Sequence, residues 1–317
     1  MVKYLARRAF TSAMVLVISM MLVFVSIRIL PGDPVLAKYG ASAGATPEAL
    51  DLLRHEAGLD RPILAQLLTW LKGVVRGDLG ISYFSQLHVT PLVMERLPAT
   101  LELTFLIILI ACIFAIILTP FSVRRPGSFT DRMIGYFVSL GLSIPSFVIG
   151  IIFILLFSLR WQILPSRGFV PLSESVSKNL IDMIMPALTG ALVATPYLVK
   201  YLRTSMLEIK ASSFVRTAEG KGQTSSKILF KHILPNALVP TLTMLGLIVG
   251  YTLGGVLVIE YMFGLPGIGS LAIESASTRD YALLQGVSIL VITMFILTTF
   301  VFDLICALVD PRLRVKK

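Results

Sequence analysis

The chain has 317 residues, 56% of them hydrophobic and only 15% charged, with a mean hydropathy of +0.85. A soluble globule carries about 45–50% apolar and about 25% charged residues, so this composition excludes water as the main solvent. The net charge of +10 would suit a nucleic-acid binder, but the basic residues are partitioned among alternate loops, which a basic face on a soluble fold does not do.

Apolar residues cluster into six runs, at 9–27, 103–121, 134–159, 183–199, 238–259 and 286–308. Each matches the length a helix rising 1.5 Å per residue needs to cross a hydrocarbon core of about 30 Å. An all-α polytopic membrane protein with six transmembrane helices is the fold class this pattern predicts. The first run follows Lys3, Arg7 and Arg8. It exceeds the apolar stretch of a secretory leader, and the small residues Ala41-Ser42-Ala43 lie well past its end, so an uncleaved span is expected.

Leu30-Pro31-Gly32-Asp33-Pro34 is a turn cluster that stops the first helix. From there to about Pro98 the chain is too polar to cross a bilayer. Thr46-Pro47-Glu48 reads as an N-cap with proline at the first helical position, and Gly58 closes that helix. A second amphipathic stretch over 63–75 ends at Arg76-Gly77, a cation in the last turn before a glycine stop. These signals predict a small helical extension outside the membrane after the first span.

The fourth run is the shortest and contains Pro186 and Pro196, which a span tolerates where neighbouring helices resatisfy the freed backbone groups. The loop behind it carries the sharpest local pattern. A serine cap at 212–213 opens a short helix, Gly222 can take the left-handed conformation that ends it, and Ser225 can cap a second helix running to Leu234-Pro235. Phe214 and Ala218, four apart, share a face that fits a groove in a soluble partner, with Arg216, Glu219 and Lys221 around it. Read locally, an amphipathic loop resting on the membrane surface fits equally well.

Between the last two runs, Phe263-Gly264-Leu265-Pro266-Gly267-Ile268-Gly269 suits a tight, partly re-entrant turn whose backbone groups face protein or a cavity. An ordinary surface turn has the same composition.

With the N-terminus inside, the inner segments carry 17 of the 28 basic residues against five acids (Asp131, Glu208, Glu219, Asp303 and Asp310). The outer segments hold the remaining 11 basic and 13 acidic residues. Lys and Arg beside the spans set orientation, which predicts both termini on the cytoplasmic side.

Charged residues within spans are few. Arg28, Glu102, Glu260, Lys200 and Asp303 fall near span ends, where side chains can snorkel or reach headgroup water. A proton-coupled carrier is expected to place ionisable groups near the midplane, so a secondary transporter working without an ATPase partner is the weaker alternative. No phosphate-cradling G-x-x-x-x-G-K-[ST] loop, H-E-x-x-H pair or G-x-S-x-G elbow is present, which also weakens a membrane enzyme or scaffold reading. His55, His88 and His232 show no ligand spacing, and Cys112 and Cys306 read as packing residues, so no metal site is expected. The chain reads as a pathway whose drive comes from elsewhere.

The stretch 214–235, with Gly222 and the closing Leu234-Pro235, resembles the cytoplasmic-loop signature of bacterial ABC importer permeases. Where that consensus begins Glu-Ala-Ala, the chain has Arg216-Thr217-Ala218, as in the dipeptide, oligopeptide and nickel branch. Leu30-Pro31-Gly32-Asp33-Pro34, Gly58-Leu59-Asp60-Arg61-Pro62, Gly77-Asp78-Leu79-Gly80, Arg96-Leu97-Pro98-Ala99-Thr100, Pro266-Gly267-Ile268-Gly269, Arg279-Asp280-Tyr281 and Asp310-Pro311-Arg312 are similar to the same branch, in order along the chain.

The resemblance implies a type I ABC importer permease fold in the bacterial inner membrane. Residues 1–95 would form the first span and extracytoplasmic segment, 96–310 the permease core with a coupling loop at about 204–235, and 311–317 a cytoplasmic tail. It implies a second homologous permease subunit, two ATPase subunits binding ATP and Mg, and an extracytoplasmic solute-binding protein. The chain itself would hold no cofactor and bind no nucleic acid. Phe214, Val215, Arg216, Thr217, Ala218, Glu219, Lys221, Gly222, Leu234 and Pro235 would couple it to the ATPases. Phe263, Pro266, Gly267 and Gly269 are the candidates for an extracytoplasmic gate loop.

Overall fold

A computed structural model describes residues 2–29, 35, 46–56 and 58–309. The turn cluster at 30–34, the small residues at 41–43, Asp310-Pro311-Arg312 and the tail at 311–317 lie outside the described residues. The described chain folds into eleven helical elements: α1 Val2–Ile29, α2 Pro47–Glu56, α3 Ile63–Val75, α4 Val89–Arg124, α5 Phe129–Ser143, α6 Ser146–Arg160, α7 Val176–Lys210, α8 Ser213–Gly220, α9 Ser225–Phe263, α10 Ile268–Ser277 and α11 Tyr281–Val309. Five are long and apolar enough to cross a membrane, and α5 with α6, taken as one broken span, makes six.

The expected helix signals after the first span are present. Thr46 Oγ1 accepts from the Ala49 N–H at 3.3 Å, and Gly58 turns the chain at φ +65°. Helix α3 ends at Val75, Gly77 takes φ +80°, and the Asp78 N–H closes back on the Gly73 carbonyl at 2.9 Å. Helix α4 starts at Val89, so part of the stretch read as lying outside the membrane is the first turns of the second span.

The third run is not straight. Its two halves meet at 101°, at Ile144 and Pro145. Pro145 has no N–H to continue the ladder and holds the preceding residue extended, at φ −91° and ψ 122°. The second half relaxes into a π-turn over Ile154–Arg160.

Helix α7 is the axis of the bundle, flanked by α4, α5 and α9. It runs unbroken through Pro186 and Pro196, and 56% of its apolar window is buried, the largest share among the spans. It is also the least apolar span, because it faces other helices and needs small residues where lipid-facing helices need bulk. Gly190 is packed so tightly that an added Cβ would lie 2.3 Å from Ile107 Cδ1 of α4. Gly190→Val is expected to destabilise the fold by about 1–3 kcal/mol through overpacking, read as a lowered unfolding midpoint of the purified protein.

Candidate functional site

Three features stand out: a short helix at one end of the bundle, a buried polar latch at the other, and a neutral cavity between them.

Helix α8 lies at the end that carries the α4–α5 loop. Val215 and Ala218, three apart, are buried against Leu202, Met206, Ile228, Leu229 and Ile233 of α7 and α9 and Val123 of α4. Phe214, Arg216, Thr217, Glu219 and Lys221 are exposed. Ala218 is therefore packed into the protein's own core and does not share an exposed face with Phe214, because 3.6-residue periodicity turns 215 and 218 inward together. The Ser212 hydroxyl does not cap α8. It donates to the Ile209 carbonyl at 2.6 Å, although the residue occupies the N-cap position.

Gly222 takes φ +73°, and the Gln223 N–H reaches the Ala218 carbonyl at 3.3 Å. The next helix is capped by Thr224, whose hydroxyl accepts from the Lys227 N–H, one residue before the expected Ser225. The Gln223 amide oxygen and the His232 ring nitrogen lie 2.9 Å apart and tie the turn to α9. Pro235 is accommodated by a π-turn over Ile228–Ile233, which widens the ladder ahead of a residue that cannot donate. Beside this region, Arg203 of α7 pairs with Asp131 of α5 at 3.0 Å, and Ser122 of α4 donates to the same carboxylate. This network fixes the α4–α5 turn to α7.

At the opposite end, Gly264 closes α9 in the left-handed conformation, and the Leu265 N–H reaches back to the Glu260 carbonyl at 2.8 Å. Glu260, read from its position near a span end as reaching headgroup water, is fully buried. Its carboxylate accepts from Thr100 Oγ1 at 2.6 Å, from the Gly269 N–H at 2.6 Å and from the Ser270 N–H at 3.3 Å. Thr100 Oγ1 in turn accepts from the Ile268 N–H at 2.8 Å. The carboxylate thus caps α10 and ties it to α4.

The glycines beside Glu260 are required by close approach: a Cβ on Gly267 would lie 2.1 Å from the Glu260 carboxylate, and one on Gly269 would lie 2.3 Å from Leu257 Cα. Phe263, Leu265 and Ile268 are buried, so the loop turns into the bundle.

Arg8, Arg28 and Asp303, also near span ends, are partnered. Arg8 donates to Asp303 at 2.6 Å. Arg28 bonds Gln66 at 3.0 Å and stacks over the Phe24 ring. Buried Asp280, noticed in the sequence only as part of a resemblance, accepts from Ser82 and from the N–H groups of Tyr83, Phe84 and Leu283. It caps α11 and latches the 82–84 turn; an Asp directly before an apolar run is the sequence signal for such a cap. Among the described residues, no group of three or more His, Cys, Asp or Glu side chains could hold a metal ion.

Helices α4, α6, α7 and α9 line a half-open cavity of about 460 Å³ whose walls include Ile107, Gly190, Ala194, Tyr197, Tyr251 and Ile259. Among the described residues, no charged residue lines it.

Comparison with known proteins settles the family. A profile described as the binding-protein-dependent transport system inner membrane component matches residues 92–315, and one for the N-terminal part of such components matches 1–104. The chain belongs to this family. The permease is 33% identical over 311 residues to the probable peptide ABC transporter permease protein y4tP of Sinorhizobium fredii (strain NBRC 101917 / NGR234), covering 98% of this chain and 99% of that one. It is 34% identical over 320 residues to the dipeptide transport system permease protein DppB of Escherichia coli (strain K12), covering 94% of each. Its fold matches a chain of the MetNI methionine ABC transporter in an inward-facing conformation, with a TM-score of 0.56 and 18% identity over 69% of this chain and 96% of that one.

The permease is thus a non-catalytic, membrane-spanning subunit of a binding-protein-dependent ABC importer, and ATP hydrolysis belongs to a separate subunit. The alternative of a secondary transporter finds no support among these relatives. In general terms such a subunit works in a bacterial inner-membrane complex with another permease, an ATPase and a binding protein.

Proposed function

We propose that the permease forms half of an inward pathway for peptides or a closely related small solute, delivered by an extracytoplasmic binding protein and driven by two ATPase subunits that bind ATP and Mg. Both termini and α8 face the cytoplasm in this reading, in accord with the concentration of Lys and Arg in the segments on that side. Peptide as cargo rests on the relatives' names, y4tP and DppB among them.

The observation that carries the mechanical part is the two-sidedness of α8. Its inner face is packed into α7 and α9, while Phe214, Arg216, Glu219 and Lys221 point away from the bundle. A partner gripping that outer face moves α8 as a rigid lever and biases the spans between two packed arrangements. At the other end, Phe263, Pro266, Gly267 and Gly269 form a gate element that follows α9 through Glu260.

Reconstitution tests the function. In proteoliposomes containing the second permease and the ATPases, a labelled dipeptide should accumulate only when both ATP and the binding protein are supplied. Equal accumulation by the permease without ATPase partners refutes the reading.

A further inference from the structure

Helix α3 exposes more large apolar side chains than a helix in water does. Only Gln66, Thr69 and Lys72 along it are polar, apart from the Trp70 indole. Gln66 is turned inward, where it donates to the Leu59 and Arg61 carbonyls at 3.1 and 2.8 Å and accepts from Arg28. The outward face carries Ile63, Leu64, Leu68 and Val75 together with Thr69 and Lys72, and Val75 is 88% exposed. A solvated amphipathic helix turns residues such as Ile63, Leu64, Leu68 and Val75 toward the core. At 13 residues α3 spans about 20 Å, too short to cross the membrane.

Its position says what covers that face. The Trp70 and Phe24 rings lie 5.4 Å apart, and Arg28 joins Gln66, so α3 sits at the level of the last turns of α1. Helix α1 is a membrane span whose exposed Leu22, Val25 and Ile29 carry an apolar surface up to that level. The exposed Leu64, Leu68 and Val75 are thus held at the level where that span meets the headgroups. Lys72 can keep its ammonium in the headgroup layer while its stem lies among acyl chains.

We propose that α3 is an interfacial helix, lying in the plane of the membrane with Leu64, Leu68 and Val75 seated in one lipid leaflet. The leaflet then holds the whole segment at 47–88 at a fixed height, including the turn that Asp280 latches to α11. This does not depend on which solute is carried.

The test places a nitroxide at Leu64, Leu68 or Val75, one at a time, in a Cys112→Ser background, with Cys306 left in place because it is buried. The labelled permease is assembled with cysteine-free partners in lipid nanodiscs, and collision with oxygen and with a neutral nickel chelate is measured. A label at Asp51 of α2, whose side chain is 72% exposed, serves as the water-facing reference. The oxygen-to-nickel ratio should exceed the reference several-fold at all three sites and stay unchanged when binding protein is added. A ratio equal to the reference overturns the proposal. Shielding from both reagents, or nickel access that disappears on adding binding protein, assigns that face to a protein partner and overturns it as well.

Discussion

Glu260→Ala should destabilise the permease by about 3 kcal/mol or more and lower its unfolding midpoint by several degrees, one of the largest effects expected of any single truncation. The side chain is fully buried and accepts from Thr100, Gly269 and Ser270. Removing it leaves three donors in an environment where each unsatisfied one costs about 1–3 kcal/mol. Glu260→Gln separates hydrogen bonding from packing: the amide fills the same volume but offers one acceptor oxygen where the carboxylate offers two, and turns an N–H toward donors. It should fall between wild type and Glu260→Ala. Gly267→Ala should reproduce much of the defect from the opposite side, since its Cβ would lie 2.1 Å from the same carboxylate. Thermal unfolding of the purified protein in detergent reads all three, and a wild-type midpoint for Glu260→Ala would show that the latch holds nothing.

The second large effect is on transport. Gly222 ends α8 at φ +73°, and no atom lies within 4 Å of where its Cβ would stand. A substitution there is therefore strained by backbone conformation alone, at a cost of about 1–2 kcal/mol for a residue with a Cβ. That is too little to prevent insertion or folding. It is enough to bias a two-state switch by about tenfold if the strain is relieved by reorienting α8. Gly222→Val is accordingly expected to lower ATP-dependent uptake by about tenfold while ATP hydrolysis and membrane abundance persist. Gly222→Asn, which adopts the left-handed region more readily, should retain most of the uptake. Uptake and hydrolysis measured on the same proteoliposomes separate uncoupling from loss of protein.

How much of this was legible in the sequence depended on whether the controlling interaction is local. The ends of α2 and α3 are set by Thr46, Gly58 and Gly77 through contacts within a few residues, and the structure places them where those residues predict. The glycine ending α8 was readable for the same reason. Glu260 was not, because its partners Thr100 and Gly269 meet it only after α4 and α10 have packed, and position along a span does not reveal which way a carboxylate points. The inward turn of Ala218 needed the α7 and α9 surfaces to be known. Pro145 and Pro196 look alike in a hydropathy trace. One breaks its span at 101° while the other sits within an unbroken α7, where the Pro196 ring packs against Gly141.

The direct test of the drive mechanism is thiol cross-linking from α8. With cysteine at Phe214, exposed and outside the bundle's own packing, a short bifunctional maleimide should join the permease to its ATPase subunit. The same thiol should resist a membrane-impermeant maleimide in intact cells until the membrane is opened. Labelling of that cysteine from outside intact cells, with no cross-link to the ATPase, would contradict the account.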